Sequence, residues 1–549
     1  MNFLEKKWRI LFAIAIGTIM VPINASIVNV SLPTITTFFS TGIATSQWVI
    51  TVYLINLLGF VLLFGRLGDF YGHERIYMVG LFSFVITSIL CSLSPSITFL
   101  IIFRGLQGIA AALMLSVSMD IVKDAFPTSQ TGKALGIYAV AIAAGLSIGP
   151  AIGGFLQTFL GWQTIFLVNI PMGITSFLLC YKILKMEEPM PIKLDVWGAI
   201  LQYLCLFSTV YVLNNIQTSK IDIITAITAV SAVITLILFI WNEKRVDSPL
   251  IDLEMFKNKT FSAFNLSLYF NYISMYMILF IMPFYLQKVL KFDAALTGAI
   301  LTVNPVAMMI LAPLSGTLSD KIGSRPLAIT GALISAAALY SMTYLTIFSN
   351  MFDVVWRLAL LGIGAAIFQA PNNRAIMNVI PDKKKGVASS IIVTMRNLGM
   401  VFGVSIAGIL LYSTISPEML EQNQLFNLAA YDFTNGMHLI MILGAFLSIL
   451  ILILSPVGVY KRKITETKEM IQESEIIPNP QEIIEESSEI INNSELIKYS
   501  KELIEDSELL RYSKEIIEDP AVLKRPKNIL KEKSQKILGV RKMRSIRKS

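Results

Sequence analysis

The chain has 549 residues, of which 54% are hydrophobic and 15% charged, and its mean hydropathy is +0.66. Soluble globular domains are markedly less apolar, so these values exclude that class and indicate a protein embedded in a lipid bilayer. The formal net charge of +8 comes without a basic face interleaved with aromatic residues, so nucleic acid is not expected as a partner. The three cysteines lie in apolar runs without CxxC spacing, which predicts neither a disulfide framework nor a metal site.

Fourteen apolar runs are each long enough to cross a bilayer core of about 30 Å, which takes about 20 helical residues. Because backbone groups inside lipid must be hydrogen-bonded within their own segment, each run is predicted to be a helix. The runs cover approximately residues 10–36, 47–65, 76–95, 97–118, 132–157, 164–184, 195–214, 222–242, 261–285, 297–318, 326–348, 354–378, 386–413 and 436–456. The predicted fold is an all-α polytopic membrane protein.

An eight-residue signature occurs twice, as GRLGDFYG at 65–72 and as GTLSDKIG at 316–323. We predict that each copy is a tight polar hairpin between two spans, in which glycine permits the turn and aspartate braces a helix end or forms a latch. A second pair follows at a similar offset, Arg104 with Gly108 and Arg357 with Gly362. The residues assigned to the two hairpin gates are Gly65, Asp69, Gly72, Arg75, Gly316, Asp320, Gly323 and Arg325.

This duplication predicts two homologous halves, as in transporters built from parallel repeats. The predicted organisation is a six-helix half at 1–185, two inserted helices with a link at 186–259, a second six-helix half at 260–456, and a charged tail at 457–549. The tail holds 19 of the 45 Lys and Arg residues and 17 of the 37 Asp and Glu residues, and it contains a 13-residue repeat at 495–507 and 508–520. We expect it to be largely non-globular, either short helices or a solvated linker, and its basic end at 524–549 is expected to contact anionic lipid.

Basic residues in the connections predict the orientation. With the N-terminus inside, the inner connections hold about twenty Lys and Arg residues, whereas the outer ones hold Lys220, Lys288 and Lys291. Both termini are therefore expected in the cytoplasm, and the membrane is expected to be the plasma membrane.

Glycine recurs every four residues in the fifth span, at Gly145, Gly149 and Gly153, and is followed by Gly154. Such a face lets a neighbouring helix approach backbone to backbone, and Pro150 removes one helical hydrogen bond. A seal between two moving halves and ordinary tight packing are both compatible with this pattern.

Three arginines within predicted spans are candidates for a pathway: Arg104, Arg357 and Arg396. Ionisable residues there usually mark a pathway, although an arginine near a helix end also reaches the interface with its long side chain. Asp120 lies sixteen residues after Arg104, about 24 Å along the same helix, which is too far for a direct pair. We hypothesise that Asp120 and Asp69 form an inner gate cluster with Arg75; solvated helix ends are the alternative.

An enzyme is not expected. Gly145-x-Ser147-x-Gly149 matches a nucleophile elbow, but it lies inside a span, and the two histidines, His73 and His438, lie near span ends. The sequence has no HExxH, Walker A or GxGxxG motif, so ATP-driven pumping is not expected either. No cofactor is predicted, which leaves an ion gradient as the energy source.

The chain resembles the major facilitator superfamily, in particular its fourteen-helix drug:proton antiporter branch, over residues 10–456. The two hairpins resemble the cytoplasmic-loop motif of that family, FRGLQG at 103–108 its helix-4 arginine motif, and 145–154 its antiporter motif. Residues 162–173, 368–374 and 395–399 are similar to branch-specific stretches. The resemblance implies export of small, moderately apolar compounds by alternating access, coupled to proton influx.

One position departs from the family. The first span resembles the branch motif at 24–33, but the family commonly has aspartate where this chain has Asn24, which carries no proton. No other span has Asp or Glu in its middle, so the usual membrane carboxylate for coupling is missing.

Polar and aromatic residues on the pore-lining helices of the family are candidates for the substrate cavity, although each one alone is also compatible with packing between helices. They are Asn24, Tyr53, Asn56, Gln107, Tyr138, Tyr272, Tyr276, Asn304, Gln369 and Asn397. Such a lining suits apolar small molecules of loose specificity. A dedicated exporter of one metabolite, peptide or lipid and a non-transporting sensor or scaffold stay open as alternatives, and so does the oligomeric state.

Overall fold

The computed structural model describes residues 5–184, 195–217, 222–246, 249–381, 384–415 and 428–454. These residues form helices joined by short connections. The helices are α1 (Lys6–Phe38), α2 (Ile43–Tyr71), α3 (His73–Ser92), α4 (Ile97–Ala125), α5 (Thr128–Leu160), α6 (Thr164–Leu167), α7 (Asn169–Ile183), α8 (Val196–Ile216), α9 (Ile223–Glu243), α10 (Lys259–Phe284), α11 (Ala294–Ile322), α12 (Ser324–Met342), α13 (Met351–Asn378), α14 (Lys385–Tyr412) and α15 (Leu428–Leu454). A 3₁₀ segment at Leu253–Lys257 precedes α10, and a π-helical segment at Tyr285–Val289 follows it. The predicted tail at 457–549 lies outside the described residues.

The predicted all-α polytopic fold is confirmed. Within the described ranges, thirteen helices are long and apolar enough to cross a membrane, with α6 and α7 counted together. The remaining predicted span corresponds to α12, which has 19 residues and begins with the polar sequence Ser324-Arg325-Pro326. Its short apolar stretch explains why it is the weakest of the fourteen spans.

Several helices begin at a residue whose side chain caps the first turn. Ser96 accepts a hydrogen bond from the Phe99 amide at the start of α4, and Asp293 accepts one from the Leu296 amide at the start of α11. Asn350 and Asp353 form a reciprocal capping box at the start of α13. These caps satisfy amides that have no partner inside the helix.

The two signature copies differ from the predicted hairpins. Helix α2 stays helical through Tyr71 and α11 through Ile322, so each turn is made by one residue, Gly72 or Gly323. These glycines have φ values of 95° and 87°, which strain any residue with a Cβ. The reason for the short turn is that the Gly72 amide still donates to Gly68 O at 2.8 Å, so the helical hydrogen bonds continue to the turn itself.

Each half is a bundle of packed helices. In the first, α1 packs against α5 and α7, and α4 packs against α2 and α3. In the second, α10 packs against α14 and α15, and α13 packs against α11 and α12. Helices α5 with α11, and α2 with α14, join the halves, while α8 pairs with α9 and also contacts both α2 and α14. The predicted boundaries of the halves stay a prediction.

Candidate transport pathway

The two halves are hydrogen-bonded near one membrane face. We call the face where α1 begins the near face and the face where α1 ends the far face. The Thr34 hydroxyl donates to Gln287 Oε1 at 3.3 Å, and Gln287 Nε2 donates to Val30 O at 2.7 Å. The Ala44 amide donates to the Tyr412 hydroxyl at 2.9 Å, so α2 and α14 are also joined at this face.

Helix α5 supplies a backbone-to-backbone contact between the halves. A Cβ added to Gly298 of α11 would lie 3.1 Å from the Cα of Gly154 and would collide with the carbonyl oxygen of Pro150. Closer to the middle of α5, the Ser147 hydroxyl donates to Pro305 O at 3.1 Å. No side chain separates the two helices at the glycine pair, which lies toward the far face.

The other three glycines of the α5 stripe face α1 in the same half. A Cβ at Gly145 would lie 2.7 Å from Ile19 Cγ1, and one at Gly153 would lie 2.5 Å from Ile27 Cγ1. Gly149 is still closer to Ser26. The stripe therefore contacts two helices, α1 within its half and α11 across the interface.

Near-face ends of α5 and α14 face open space. A Cβ added to Gly132, Gly136 or Gly386 would meet no heavy atom of the described residues within 4 Å. The far ends of the halves are hydrogen-bonded, whereas these near-face positions border open space among the described residues. The structure is therefore closed at the far face and open at these near-face positions.

Arg104 lies at the centre of a buried network in the first half, with 1% of its surface exposed. Its Nε donates to Val49 O at 3.0 Å, and its Nη1 donates to Gln107 Oε1 at 2.6 Å and to Asn24 Oδ1. The guanidinium also lies over the ring of Tyr53, 4.1 Å from the ring centre. Residues of α1, α2 and α4 thus hold the guanidinium group of Arg104 in place.

The network continues through residues of α3 and α7. Gln107 Nε2 donates to Ser88 Oγ at 2.8 Å, and Asn169 Nδ2 reaches the same oxygen at 3.3 Å. All three side chains are buried. Ser88 was not among the predicted residues, since a serine in an apolar run gives no signal of its own, and Asn169 was noted only in a branch-specific stretch.

Helices α2 and α4 approach closely beside this network. A Cβ at Gly108 would lie 2.5 Å from Tyr53 O, and Asn56 Nδ2 donates to Gly105 O at 2.9 Å. Asn56 is therefore used to pair two helices, and the glycine of the arginine motif allows the approach.

None of the hydrogen-bond partners of Arg104 in the described residues is a carboxylate. A buried charge is costly unless it is paired or well hydrogen-bonded, and here neutral oxygens and an aromatic face do the stabilising. Asn24 is completely buried and keeps its Nδ2 atom without a partner in the described part of the chain. The site thus holds a positive charge that no nearby acid cancels.

Arg357, at the matching place in the second half, has different surroundings. Its Nε donates to Ser341 O, in the last turn of α12, at 2.9 Å, and its Nη1 donates to Asp353 O at 2.6 Å. The same Nη1 lies 3.8 Å from the carboxylate Oδ1 of Asp353, so an acid accompanies this arginine near the far face. Its guanidinium lies 4.5 Å from the ring centre of Trp356. Asn304, on the neighbouring α11, donates to Leu358 O at 3.3 Å.

A second polar group lies in the middle of the other half. Tyr272 hydrogen-bonds Gln369 Oε1 at 3.1 Å, and Gln369 Nε2 donates to Asn271 Oδ1 at 3.2 Å. Arg396 also hydrogen-bonds Tyr272 and acts electrostatically on Tyr276. The Nε atom of Arg396 is buried and has no partner among the described residues.

The central tyrosines of the two halves face each other. Tyr53 and Tyr276 lie within electrostatic range across the interface, and so do Tyr138 and Arg396. Tyr138 is further held by a 2.6 Å hydrogen bond to Ser118. Asn397, on the same helix as Arg396, is buried. Of the predicted cavity residues, Tyr53, Tyr138 and Tyr276 therefore lie near the opposite half. The others with described contacts bond within their own half: Asn24, Asn56, Gln107, Tyr272, Asn304 and Gln369.

At the near face, Asp69 pairs with His73, with 3.0 Å between Oδ1 and Nε2. The cations and acids that act on Asp120 are His73, Lys123, Asp124 and Asp69. Arg75 is exposed. His73 therefore stands where the hypothesis had Arg75.

The second hairpin is more open. Asp320 forms an ion pair with Arg374 of α13, and both side chains are about half exposed. A Cβ at Gly316 would meet nothing within 4 Å, whereas one at Gly68 of the first copy would collide with Val117. In the first copy, Ser116 O lies 3.9 Å from the Cβ position of Gly65; in the second, Arg325 is half-buried.

The described residues contain no group of three or more His, Cys, Asp or Glu side chains that suits a metal ion.

A family model described as the Major Facilitator Superfamily matches residues 14–242 and 264–513. The chain belongs to the Major Facilitator Superfamily. It is a multi-pass membrane transporter and not an enzyme, with the lipid bilayer and small-molecule substrates as its partners.

Two solved structures share the superfamily fold. A bacterial homologue of the human lysosomal transporter Spinster is 15% identical with a TM-score of 0.59, covering 82% of this chain and 96% of its own. A D-xylose–proton symporter is 14% identical with a TM-score of 0.58, covering 83% and 99%.

Superfamily members from bacteria are similar along most of their length. The riboflavin transporter RibZ of Clostridioides difficile is 31% identical over 77% of this chain and 91% of its own. The multidrug resistance protein Stp of Mycobacterium tuberculosis is 31% identical over 74% and 76%. The tetracenomycin C resistance and export protein of Streptomyces glaucescens is 30% identical over 75% and 77%. These similarities confirm the multidrug-efflux-like branch predicted from the motifs.

Proposed function

We propose that this transporter exports small, moderately apolar compounds from the cytoplasm across the plasma membrane by alternating access. The observation that carries this proposal is the closed far face with the open near face, where Gly132, Gly136 and Gly386 have no neighbour. With the near face in the cytoplasm, the central tyrosines are reached from inside, and both termini lie there as well. Related proteins named for drug resistance and export support this direction.

The charge of the centre limits the substrate. Arg396 lies beside Tyr272 and Tyr276, and Arg104 lies behind Tyr53, with no carboxylate of the described residues bonded to Arg104. A poorly solvated cavity with cations and no acid repels a dication by several kcal/mol. We therefore expect neutral, anionic or monocationic substrates, and poor export of a rigid divalent quaternary ammonium compound.

Proton influx is the proposed energy source. Asn24 takes no proton, so the acids that remain available are those at the near face, chiefly Asp69 and Asp120 with His73 between them. Protonation of this cluster in the cytoplasm-facing state, or release of a proton from it, would change how firmly α2 and α4 are joined there.

Everted membrane vesicles with an imposed pH gradient test the proposal. A screen of neutral, anionic, monocationic and dicationic fluorescent compounds should give gradient-driven uptake of the first three classes and little of the fourth. Vesicles holding Arg104→Leu protein in equal amount serve as the control. Efficient transport of the dication, or no gradient-driven uptake of any compound, would contradict the substrate and coupling proposals respectively.

The orientation has its own test in a cysteine-free background. Glu254→Cys is exposed at the near face and Phe348→Cys at the far face. In intact cells, an impermeant thiol reagent should label Phe348→Cys and spare Glu254→Cys. The opposite pattern would place the termini outside.

A dedicated transporter of one metabolite is the second candidate, because one relative is named a riboflavin transporter. The same screen separates the two functions: one saturable compound with no competition from the others would favour the dedicated transporter. Deleting residues 464–549 and measuring efflux tests the sensor alternative, since a transporter should keep its activity without the tail.

A further inference from the structure

The inserted helix α8 is bound along α2 by aromatic side chains. The ring centres of Tyr203 and Phe60 are 5.0 Å apart, and Trp48 lies 6.1 Å from Phe207 and 6.2 Å from Tyr211. A Cβ at Gly59 would lie 2.7 Å from Tyr203 Cδ2, so the two helices are in close contact there as well. These contacts follow α2 for more than ten residues and attach α8 to the first half.

The contact of α8 with the second half is of another kind. At the far end of α8, Gln217 Nε2 donates to Ser405 O of α14 at 3.3 Å and to Asn214 Oδ1 at 3.2 Å. Gln47, in the first turns of α2, donates from Nε2 to Asn214 Oδ1 at 3.0 Å and to Val404 O at 3.2 Å. The side chains of Gln47, Asn214 and Gln217 are 0%, 3% and 4% exposed.

These three amides, here called the amide clamp, join α2, α8 and α14 at the far face. Gly408 makes room for it, because a Cβ there would lie 2.5 Å from Gln47 Oε1 and 2.6 Å from Gln217 Oε1. Those two oxygens have no hydrogen-bond partner in the described chain. The clamp therefore holds α14 by single bonds to backbone carbonyls and leaves part of its hydrogen-bonding capacity unused, as suits a contact that forms and breaks.

We propose that Gln217 and Asn214 of the inserted helix are far-gate residues. In this view α8 moves together with α2 as part of the first half, and the clamp releases Val404 and Ser405 of α14 when the far face opens. The inserted pair is then more than a lipid-facing spacer, although the outer surface of α9, with Ile223, Ile227 and Ile237 exposed, faces lipid. The proposal rests on the alternating access of the proposed function.

Reversible disulfide cross-links test the proposal in full-length protein whose Cys91, Cys180 and Cys205 are replaced by alanine. Gln217→Cys with Ser405→Cys links α8 to α14. Phe60→Cys with Tyr203→Cys links α8 to α2 outside the clamp, where the native ring centres are 5.0 Å apart. Ser208→Cys with Ser231→Cys links α8 to α9, where the native hydroxyls are 3.5 Å apart. Oxidation of the first pair should abolish transport, and a reductant should restore it. Oxidation of the second and third pairs should leave transport unchanged.

Other outcomes overturn the proposal in distinct ways. Transport by the oxidised α8–α14 pair would show that this contact stays closed throughout the cycle. A block by the α8–α2 pair would show that α8 does not move with the first half. A benchmark pair, Thr34→Cys with Gln287→Cys, joins the halves without α8; if its oxidation does not block transport either, alternating access itself fails.

A substitution without cross-linking gives an independent measurement. Gln217→Leu keeps the volume and removes the bond to α14, so the far face should open more often. Labelling of a single Thr34→Cys by an impermeant thiol reagent should then become several-fold faster. Gln202→Leu removes another buried amide from the near end of α8 and is the matched control. Equal labelling rates in both variants would contradict a gating role.

Discussion

Arg104 and Arg357 occupy matching places in the two halves, yet the first is buried at the centre of a side-chain network and the second caps helix-end carbonyls. The two hairpins differ in a similar way, because the first is more closely packed than the second. Gly68 packs against Val117 of α4, and Asp69 pairs with the mostly buried His73, whereas both members of the Asp320–Arg374 pair are about half exposed. A sequence repeat therefore preserves position without preserving surroundings. We infer that the first half carries the charge-sensitive steps and the second mainly shapes the cavity.

The largest effect is expected at the two arginines. Arg104→Lys keeps the charge but leaves Asn24, Gln107 or Val49 oxygens unpaired, and each unpaired buried group costs about 1–3 kcal/mol. Transport should fall by about 100-fold, since 1.4 kcal/mol corresponds to tenfold, while Arg357→Lys should cost less than about tenfold. Initial rates per amount of monodisperse protein measure this. Equal losses in the two variants would remove the distinction between the halves.

Asparagine-to-aspartate substitutions sharpen the same contrast. Asn24→Asp puts a carboxylate on the buried guanidinium of Arg104, whereas Asn304→Asp puts one beside the Leu358 carbonyl, where no arginine is bonded to it. The first variant should transport with a steeper dependence on the pH gradient, and the second should lose stability, because an unpaired buried charge is costly. Efflux at several imposed gradients and thermal unfolding measure the two effects. An unchanged gradient dependence in Asn24→Asp would mean that the first-helix coupling site of the family has no counterpart here.

The next largest effect on transport is expected when the near-face aspartates are neutralised. Asp69→Asn and Asp120→Asn each remove a charge next to His73, so gradient-driven efflux should fall several-fold. Asp320→Asn removes a solvent-exposed ion pair, and such pairs contribute about 0–1 kcal/mol, so a smaller loss is expected. Full gradient-dependent efflux in both Asp69→Asn and Asp120→Asn would exclude the cluster as the proton carrier.

The smallest expected effect concerns pH at the near face. The hydrogen bond from Lys384 to Asp252, 2.6 Å long, raises the pKa of that ammonium group. A cation with a raised pKa keeps its partner at neutral pH and loses it only as the pH rises through that pKa, so Asp252→Asn should not change the pH profile between 5 and 8. His73 pairs with Asp69 and acts on Asp120 in the proposed coupling cluster, so His73→Gln should change the profile. Initial efflux rates of the two variants, measured between pH 5 and pH 8, test this prediction. A changed pH profile in Asp252→Asn alone would mean that the Lys384–Asp252 pair, and not His73, sets the pH dependence.

The spans followed from hydropathy, because backbone groups in lipid leave no alternative to helices. The α5 glycines were recognisable for a similar reason, since their spacing of four places them on one face. The tight turns were also recognisable, because glycine permits the positive φ found at Gly72 and Gly323. The first glycine of the signature was not a turn residue: Gly65 lies inside α2, at ordinary distance from Ser116. The amide clamp gave no signal, because Gln47, Asn214 and Gln217 lie near span ends, where polar residues are expected to face water. Their burial depends on which helix the fold sets beside them.

The contact between Gly154 and Gly298 has a consequence for the speed of the conformational change. Where two backbones touch directly, no rotamer has to change as one helix slides over the other, and no side-chain entropy is lost or regained. In the proposed transport cycle this contact therefore adds no side-chain rearrangement to the movement of α5 against α11. Gly298→Ala would place a methyl group against the carbonyl oxygen of Pro150, so α5 and α11 could no longer move past each other without a steric clash.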